Sequence, residues 1–173
     1  MNLYPSFTNI RGYLSEQFFT LRTRARREAF WAKPMGKPTK LAMFPDEAPE
    51  RSPNRRFAGV REIPLRQIVG TLNRGADFDH EFRPLNRYLR DRWVNVYLTL
   101  QREGWSPIIV HQVGENYYVE DGHHRVSVAQ MLGLTFIQAS VWEYPCLARE
   151  TKSCQPEPCA GPSSARVYAV VTD

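Results

Sequence analysis

Tyr117-Tyr118-Val119-Glu120-Asp121-Gly122-His123-His124-Arg125-Val126-Ser127-Val128-Ala129-Gln130-Met131-Leu132-Gly133 reads as strand, tight turn and helix. Tyr117 to Glu120 has strand composition, and Asp121-Gly122 breaks it. Val126, Ala129 and Leu132 then recur at i, i+3 and i+6, which predicts a helix from His123 to Leu132, stopped by Gly133. A helix start leaves backbone N–H groups without intrahelical acceptors, and those of Gly122, His123, His124 and Arg125 are expected to point out of the turn. The helix dipole adds up to about 1–2 kcal/mol of attraction for an anion. Arg125 offers a guanidinium fork, and Gly122 lets a ligand approach the backbone closely. Together these groups predict a phosphate cradle. Asp121, just before it, is placed to hold Mg²⁺ or to accept a proton from an attacking hydroxyl. A plain N-cap at Asp121, worth about 1 kcal/mol, is the competing explanation, but capping needs neither two histidines nor an arginine. Adjacent helical residues diverge by about 100°, so His123 and His124 are not expected to grip one metal ion. One is expected to meet substrate or phosphate and the other to orient it.

Working outward, Pro107 to Gln112 and the turn Gly114-Glu115-Asn116 complete a β-hairpin with the Tyr117 strand. Upstream, Leu85, Leu89, Trp93, Val96 and Leu100 form an apolar stripe at helical spacing, with Pro84 in the first turn and Gly104 as the stop. Ala58 to Ile63 and Thr135 to Trp142 are expected strands. Ile63-Pro64-Leu65 is expected to lead into a turn or short helix through Ile68 and Val69. The segment from Gly70 to Phe82 is expected to be a polar loop. Within it, Asp77, Asp79 and Glu81 alternate with Phe78, His80 and Phe82. If that loop is extended, its carboxylates share one face and its aromatics anchor the other. An acidic face of this kind could meet a metal or a substrate, or simply solvent.

The whole chain has 173 residues and a formal charge of +5. Residues 1–40 hold eight basic and two acidic side chains, a net +6. The basic balance therefore belongs to the N-terminal segment, and the rest of the chain is near neutral. Gly12 to Ala32 is expected to be helical, carrying Arg22, Arg24, Arg26 and Arg27 on its polar side. It is either an arm for nucleic acid, with residues 11–40 meeting DNA, or a docking helix with solvated arginines. Five prolines from Pro34 to Pro53 predict an extended connector over 34–57. Residues 145–173, rich in Pro, Ser and Cys, are expected to be a disordered tail, with a possible edge strand at Val167 to Val171. Cys146, Cys154 and Cys159 lack Cys-x-x-Cys spacing and a disulfide framework. With no run of about 18 apolar residues and no signal peptide, no membrane association is expected and a cytoplasmic location is the expectation. At 42% hydrophobic and 24% charged, the composition excludes wholesale disorder.

The order of these pieces, Ile63-Pro64-Leu65 with Ile68, a helix ending at Gly104, Pro107-Ile108-Ile109-Val110, then Val119-Glu120-Asp121-Gly122-His123-His124-Arg125, resembles the ParB/sulfiredoxin superfamily domain over about 59–144. The resemblance implies a small α+β domain at 58–144, with a mixed sheet and packed helices, preceded by the arm and connector at 1–57. It also implies a nucleotide held by its phosphates at Gly122–Arg125. Sulfiredoxins carry a reactive cysteine directly after the glycine, where this chain has His123, so sulfiredoxin activity is not expected. The chromosome-partitioning clamps have Glu-Arg-Arg there, and only Arg125 matches. The Asp-Gly-His-x-Arg form resembles the small-molecule kinase branch, whose catalytic Asp corresponds to Asp121; Glu62 and Glu81 are candidates for that branch's glutamate. The expected activity is Mg²⁺-dependent phosphotransfer or nucleotide hydrolysis with ATP, ADP or CTP. Asp121, His123 and His124 would be catalytic, Asp121 the metal ligand, and Arg74, Asp77, Asp79, His80 and Arg83 the facing substrate wall. The alternative is a DNA-associated binding module, or a nuclease that uses the acidic loop.

Overall fold

Gly114, at φ +61°, makes the two-residue turn that pairs Val113 with Asn116, a conformation for which glycine has no steric cost. This turn joins β4 (Ile108–Val113) to β5 (Asn116–Asp121). In chain order, β4 and β5 are preceded by α1 (Ile10–Ala32), β1 (Ala42–Met43), β2 (Arg56–Pro64), β3 (Ile68–Thr71) and α2 (Arg90–Glu103). They are followed by α3 (His123–Met131) and β6 (Phe136–Glu143). The computed structural model describes residues 9–36, 38–45 and 55–144. The expected tail at 145–173, its edge strand and the three cysteines lie outside the described residues.

The strands form one mixed sheet in the order β1-β3-β5-β4-β6-β2. The pairs β1–β3, β3–β5 and β4–β6 are parallel, whereas β4–β5 and β2–β6 are antiparallel. The fold is thus α+β with a mixed sheet, as expected. Alternation along β4 and β5 buries Ile108, Val110, Tyr117 and Val119, each worth roughly 1.5–3 kcal/mol against exposure. α3 lies inside the molecule: Val126, Ser127, Val128 and Ala129 are all buried along with both histidines. This is broader than the one-sided stripe the sequence suggested, and Leu132, expected to face inward, is partly exposed at the helix end. Trp93 of α2 is fully buried and donates its indole N–H to Ser127 Oγ on α3 at 3.0 Å.

Four expectations are corrected. First, Pro84 does not open α2. It bridges back to Phe78, the Leu85 N–H bonds the Asp77 carbonyl, and the α-helix begins at Arg90 after a 3-10 turn at Arg87–Leu89. Second, the turn after Ile63 is a 3-10 piece at Leu65–Gln67, and Ile68 onward is a strand, so the polar loop starts only after Thr71. Gly70 allows this because a Cβ there would lie 2.6 Å from the Tyr118 ring and closer still to the Ala42 carbonyl. Third, the connector does contain regular structure: β1 adds to β3 and Phe44 is buried. Fourth, the acidic loop is not extended. Asp79 Oδ1 accepts the N–H groups of Glu81 and Arg83, and Phe82 turns the chain at φ +52°.

Helix α1 is docked on this body. Leu14 and Phe18 are fully buried, and Phe18 meets Trp93 edge-on at 5.9 Å. At the other edge of the sheet, nine-residue β2 pairs only with β6 among the described residues, and its register shifts between Phe57 and Gly59.

Candidate functional site

The β5–α3 corner is shaped by an irregularity just before it. Ile109 and Val110 are consecutive on β4, yet they pair with Asp121 and Val119, so Glu120 is the extra residue of a β-bulge. An unbroken strand would send Glu120 and Asp121 to opposite faces. Here both are exposed and both line one recess. Gly122 then adopts φ +108°, and a Cβ at that position would lie 2.7 Å from Ile108 Cβ. Glycine is therefore required twice, by backbone conformation and by space.

The first intrahelical bond of α3 runs from Val126 N–H to the Gly122 carbonyl at 3.0 Å. The amides of His123, His124 and Arg125 precede it and have no intrahelical acceptor, and among the described residues no side chain caps the helix. Asp121 is thus not the N-cap. It is ion-paired with Arg125 Nη2 one turn along. Arg125 Nη1 donates to the carbonyls of Ser106 and Pro107 at 2.6 and 3.0 Å and to Ser106 Oγ at 3.0 Å. Arg125 therefore clamps the start of α3 to the segment that enters β4.

These groups line a recess of about 110 Å³, together with Asn73, Arg74, Phe78, Arg92 and Val96. His123 and His124 are both buried in its wall. Phe78 stacks on the His123 ring at 5.9 Å and meets the His124 ring edge-on at 5.3 Å. Burial pushes the His123 imidazole down to about 4, with the charge of Arg74 acting in the same direction. His124 is pushed down to about 4 by burial and then by Arg92 and Arg74. Both rings are neutral at pH 7.

Their hydrogen bonding differs. Thr71 Oγ1 accepts the N–H groups of Asn73 and Arg74 at 3.2 and 3.0 Å. A hydroxyl oxygen has two acceptor sites and one proton. That proton has two acceptors in reach, His123 Nε2 at 2.6 Å and the Val119 carbonyl at 3.3 Å, so Thr71 anchors the His123 ring through Nε2. His124 differs: its Nδ1 is buried with no hydrogen-bond partner among the described residues. An orphaned polar atom of this kind costs roughly 1–3 kcal/mol unless something meets it.

The expected facing wall is only partly assembled. Arg74 lines the recess and is held by Asp77 at 3.1 Å. Burial would raise the Asp77 carboxyl, but hydrogen bonds from Tyr88, Arg74 and Asn86 outweigh it and leave the group below its usual range. Asp77 acts electrostatically on both histidines without lining the recess. Asp79, His80 and Arg83 are not brought to the turn. Arg83 is buried, bonded to Asp79 at 2.7 Å and to Glu28 of α1 at 2.6 Å, and it secures the loop to that helix. His80 lies beside Glu28 at 3.5 Å. Ligand atoms of Glu28, His80 and Glu81 converge within 4.8 Å, but Arg83 pairs with both carboxylates and already places a cation among them. Glu62, the other candidate glutamate, lies on β2 and does not line the recess.

Sequence reading missed Arg92, Glu120 and Thr71. Arg92 is exposed and makes no hydrogen bond or ion pair among the described residues. It stands beside Trp93 on α2, and only the packing of α2 against α3 brings it to the recess. Glu120 Oε2 is 2.6 Å from Nε2 of fully buried His111, whose Nδ1 is 2.8 Å from the Tyr144 hydroxyl. The Val-His-Gln stretch of β4 gave one signal, a histidine at an inward strand position.

No family model matches the chain, and no curated protein matches it. Among solved structures the chain is similar to sulfiredoxin from Arabidopsis thaliana, with 26% sequence identity over 47% of this chain and 82% of that chain, at a TM-score of 0.36.

Proposed function

We propose that the recess at the start of α3 holds the phosphates of a nucleotide (ATP, ADP or CTP, with Mg²⁺) and supports phosphotransfer or nucleotide hydrolysis. The observation that carries this reading is the orphaned His124 Nδ1. It sits in the wall of a recess where three amides lack intrahelical acceptors and where Arg74 and Arg92 bring positive charge. A phosphate oxygen satisfies all of these groups at once. The histidines are neutral at pH 7, so they contribute hydrogen bonds, and the arginines contribute the charge. Drug-sized ligands occupy pockets of roughly 300–1,000 Å³. A recess of about 110 Å³ suits phosphate groups, with the base and sugar lying outside.

Glu120 and Asp121 stand at the same recess, and each engages its partner through one oxygen, Oε2 to His111 and Oδ2 to Arg125. The carboxylates fit a role as Mg²⁺ ligands, with Asp121 also the candidate base. Phosphoryl transfer rests on positioning and charge, which a preorganised helix terminus supplies. Sulfiredoxin chemistry is not proposed, because the position after the glycine holds an imidazole. A nucleotide ligand fits a cytoplasmic setting.

Calorimetry with ATP, ADP and CTP plus Mg²⁺ tests the reading. Arg125→Ala is a poor probe because it breaks the clamp. Arg92→Ala and Arg74→Ala are better, since both side chains are substantially exposed. A charge-assisted hydrogen bond is worth about 1.5–3 kcal/mol, so each variant should bind about tenfold more weakly or worse. Absence of heat with all three nucleotides, or affinity unchanged in both variants, would overturn the proposal.

A further inference from the structure

A second surface is independent of the recess. Along α1, Arg22, Arg26 and Phe30 form one ridge at four-residue spacing, and Thr23, Arg27 and Trp31 form the next; together they line one open groove. Phe30 and Trp31 are 71% and 66% exposed, and their rings meet edge-on at 5.5 Å. Among the described residues, exposure of two adjacent large aromatics has no role in packing. Arg26 and Arg27 are exposed and have no hydrogen bond or ion pair among the described residues. Arg22 is oriented by its bond to the Leu85 carbonyl at 2.9 Å. The acid nearest on the helix, Glu28, is occupied by Arg83.

We propose that this face of α1 binds single-stranded nucleic acid, with Arg22, Arg26 and Arg27 following the phosphates and Phe30 and Trp31 stacking on bases. Cationic side chains beside exposed aromatic rings match a strand that is anionic along its backbone and flat at its bases. A duplex keeps its bases stacked internally and offers the rings nothing. A lipid surface is the rival occupant, but interfacial helices present a continuous apolar stripe. On α1, Leu14, Phe18, Ala25 and Ala32 are already buried in the protein, and exposed Phe30 and Trp31 at its C-terminal end do not make a continuous stripe.

Fluorescence anisotropy of the full-length chain with a labelled thymidine oligomer of about twenty nucleotides tests this, alongside a duplex of equal length and phosphatidylserine vesicles. The single strand should bind more tightly than the duplex, and affinity should fall with salt. Phe30→Ala/Trp31→Ala should weaken binding tenfold or more. Arg26→Ala/Arg27→Ala should flatten the log–log salt slope by about 1.4, at roughly 0.7 per phosphate contact. All four positions are exposed, and unchanged circular dichroism spectra would show the variants folded. Failure to bind the oligomer, equal binding of duplex and single strand with the aromatic variant unaffected, or aromatic-dependent binding to vesicles alone would overturn the proposal.

Discussion

Lowering the pH from 7 to 5 should destabilise this protein well before its carboxylates protonate. His123 and His124 titrate at about 6.5 when exposed and at about 4 in the fold. Between those values the unfolded chain binds more protons than the native state. The histidine contribution is therefore intact above pH 6.5 and is lost as the pH falls toward 4. Integrating between pH 7 and 5 gives about 2 kcal/mol for each imidazole, or about 4 kcal/mol for the pair. That is a large share of a typical total of about 5–15 kcal/mol. Urea denaturation at closely spaced pH values measures it directly. His124→Asn, which cannot titrate, should remove about half of the slope. Saturating phosphate should also flatten it, because a bound anion favours imidazolium and lifts the native pKa. A stability constant to within about 0.5 kcal/mol between pH 7 and 5, or imidazole NMR titrations centred near 6.5, would refute the reasoning.

Gly122→Ala forces a side chain into φ +108° and against Ile108. Strain of about 1–3 kcal/mol and overpacking of about 1–3 kcal/mol should lower the urea midpoint with m unchanged. Arg125→Lys should destabilise by about 1–3 kcal/mol, because one ammonium cannot replace the fork to Ser106, Pro107 and Asp121; thermal melting would show it. Trp93→Ala empties a fully buried site and strands Ser127, at a cost of about 3–5 kcal/mol by denaturant titration.

The β4–β5 hairpin and the turn into α3 were legible because local chemistry dictates them: β-branched runs, a turn at Gly114-Glu115-Asn116 that the structure shortens to two residues, and Asp121-Gly122 before a helical pattern. The amides without intrahelical acceptors at the start of α3 follow from the same reading. What escaped depends on contacts distant in sequence. Ile68 to Thr71 looks like a turn until Tyr118 and Ala42 press on Gly70. Ala42-Met43 sits among prolines, and only a neighbouring strand makes it regular. Pro84 suits a helix start by propensity, but its bridge to Phe78 prevails. Arg125 looked like a ligand group because its partners, Ser106 and Pro107, are about nineteen residues upstream and leave no periodic trace. The bulge at Glu120 is equally invisible, since an extra residue in a strand has no compositional mark.

The long outer strand β2 carries exposed Phe57 and Val60 on a rim that, among the described residues, pairs on one side only. A flat rim of that length would be an invitation to strand-by-strand stacking between molecules. The kink at Gly59, at φ +92°, the flanking cations Arg56 and Arg61, and Pro64 at the end deny an incoming strand a straight template. The same nine residues that frame the sheet are therefore also a poor template for a second copy.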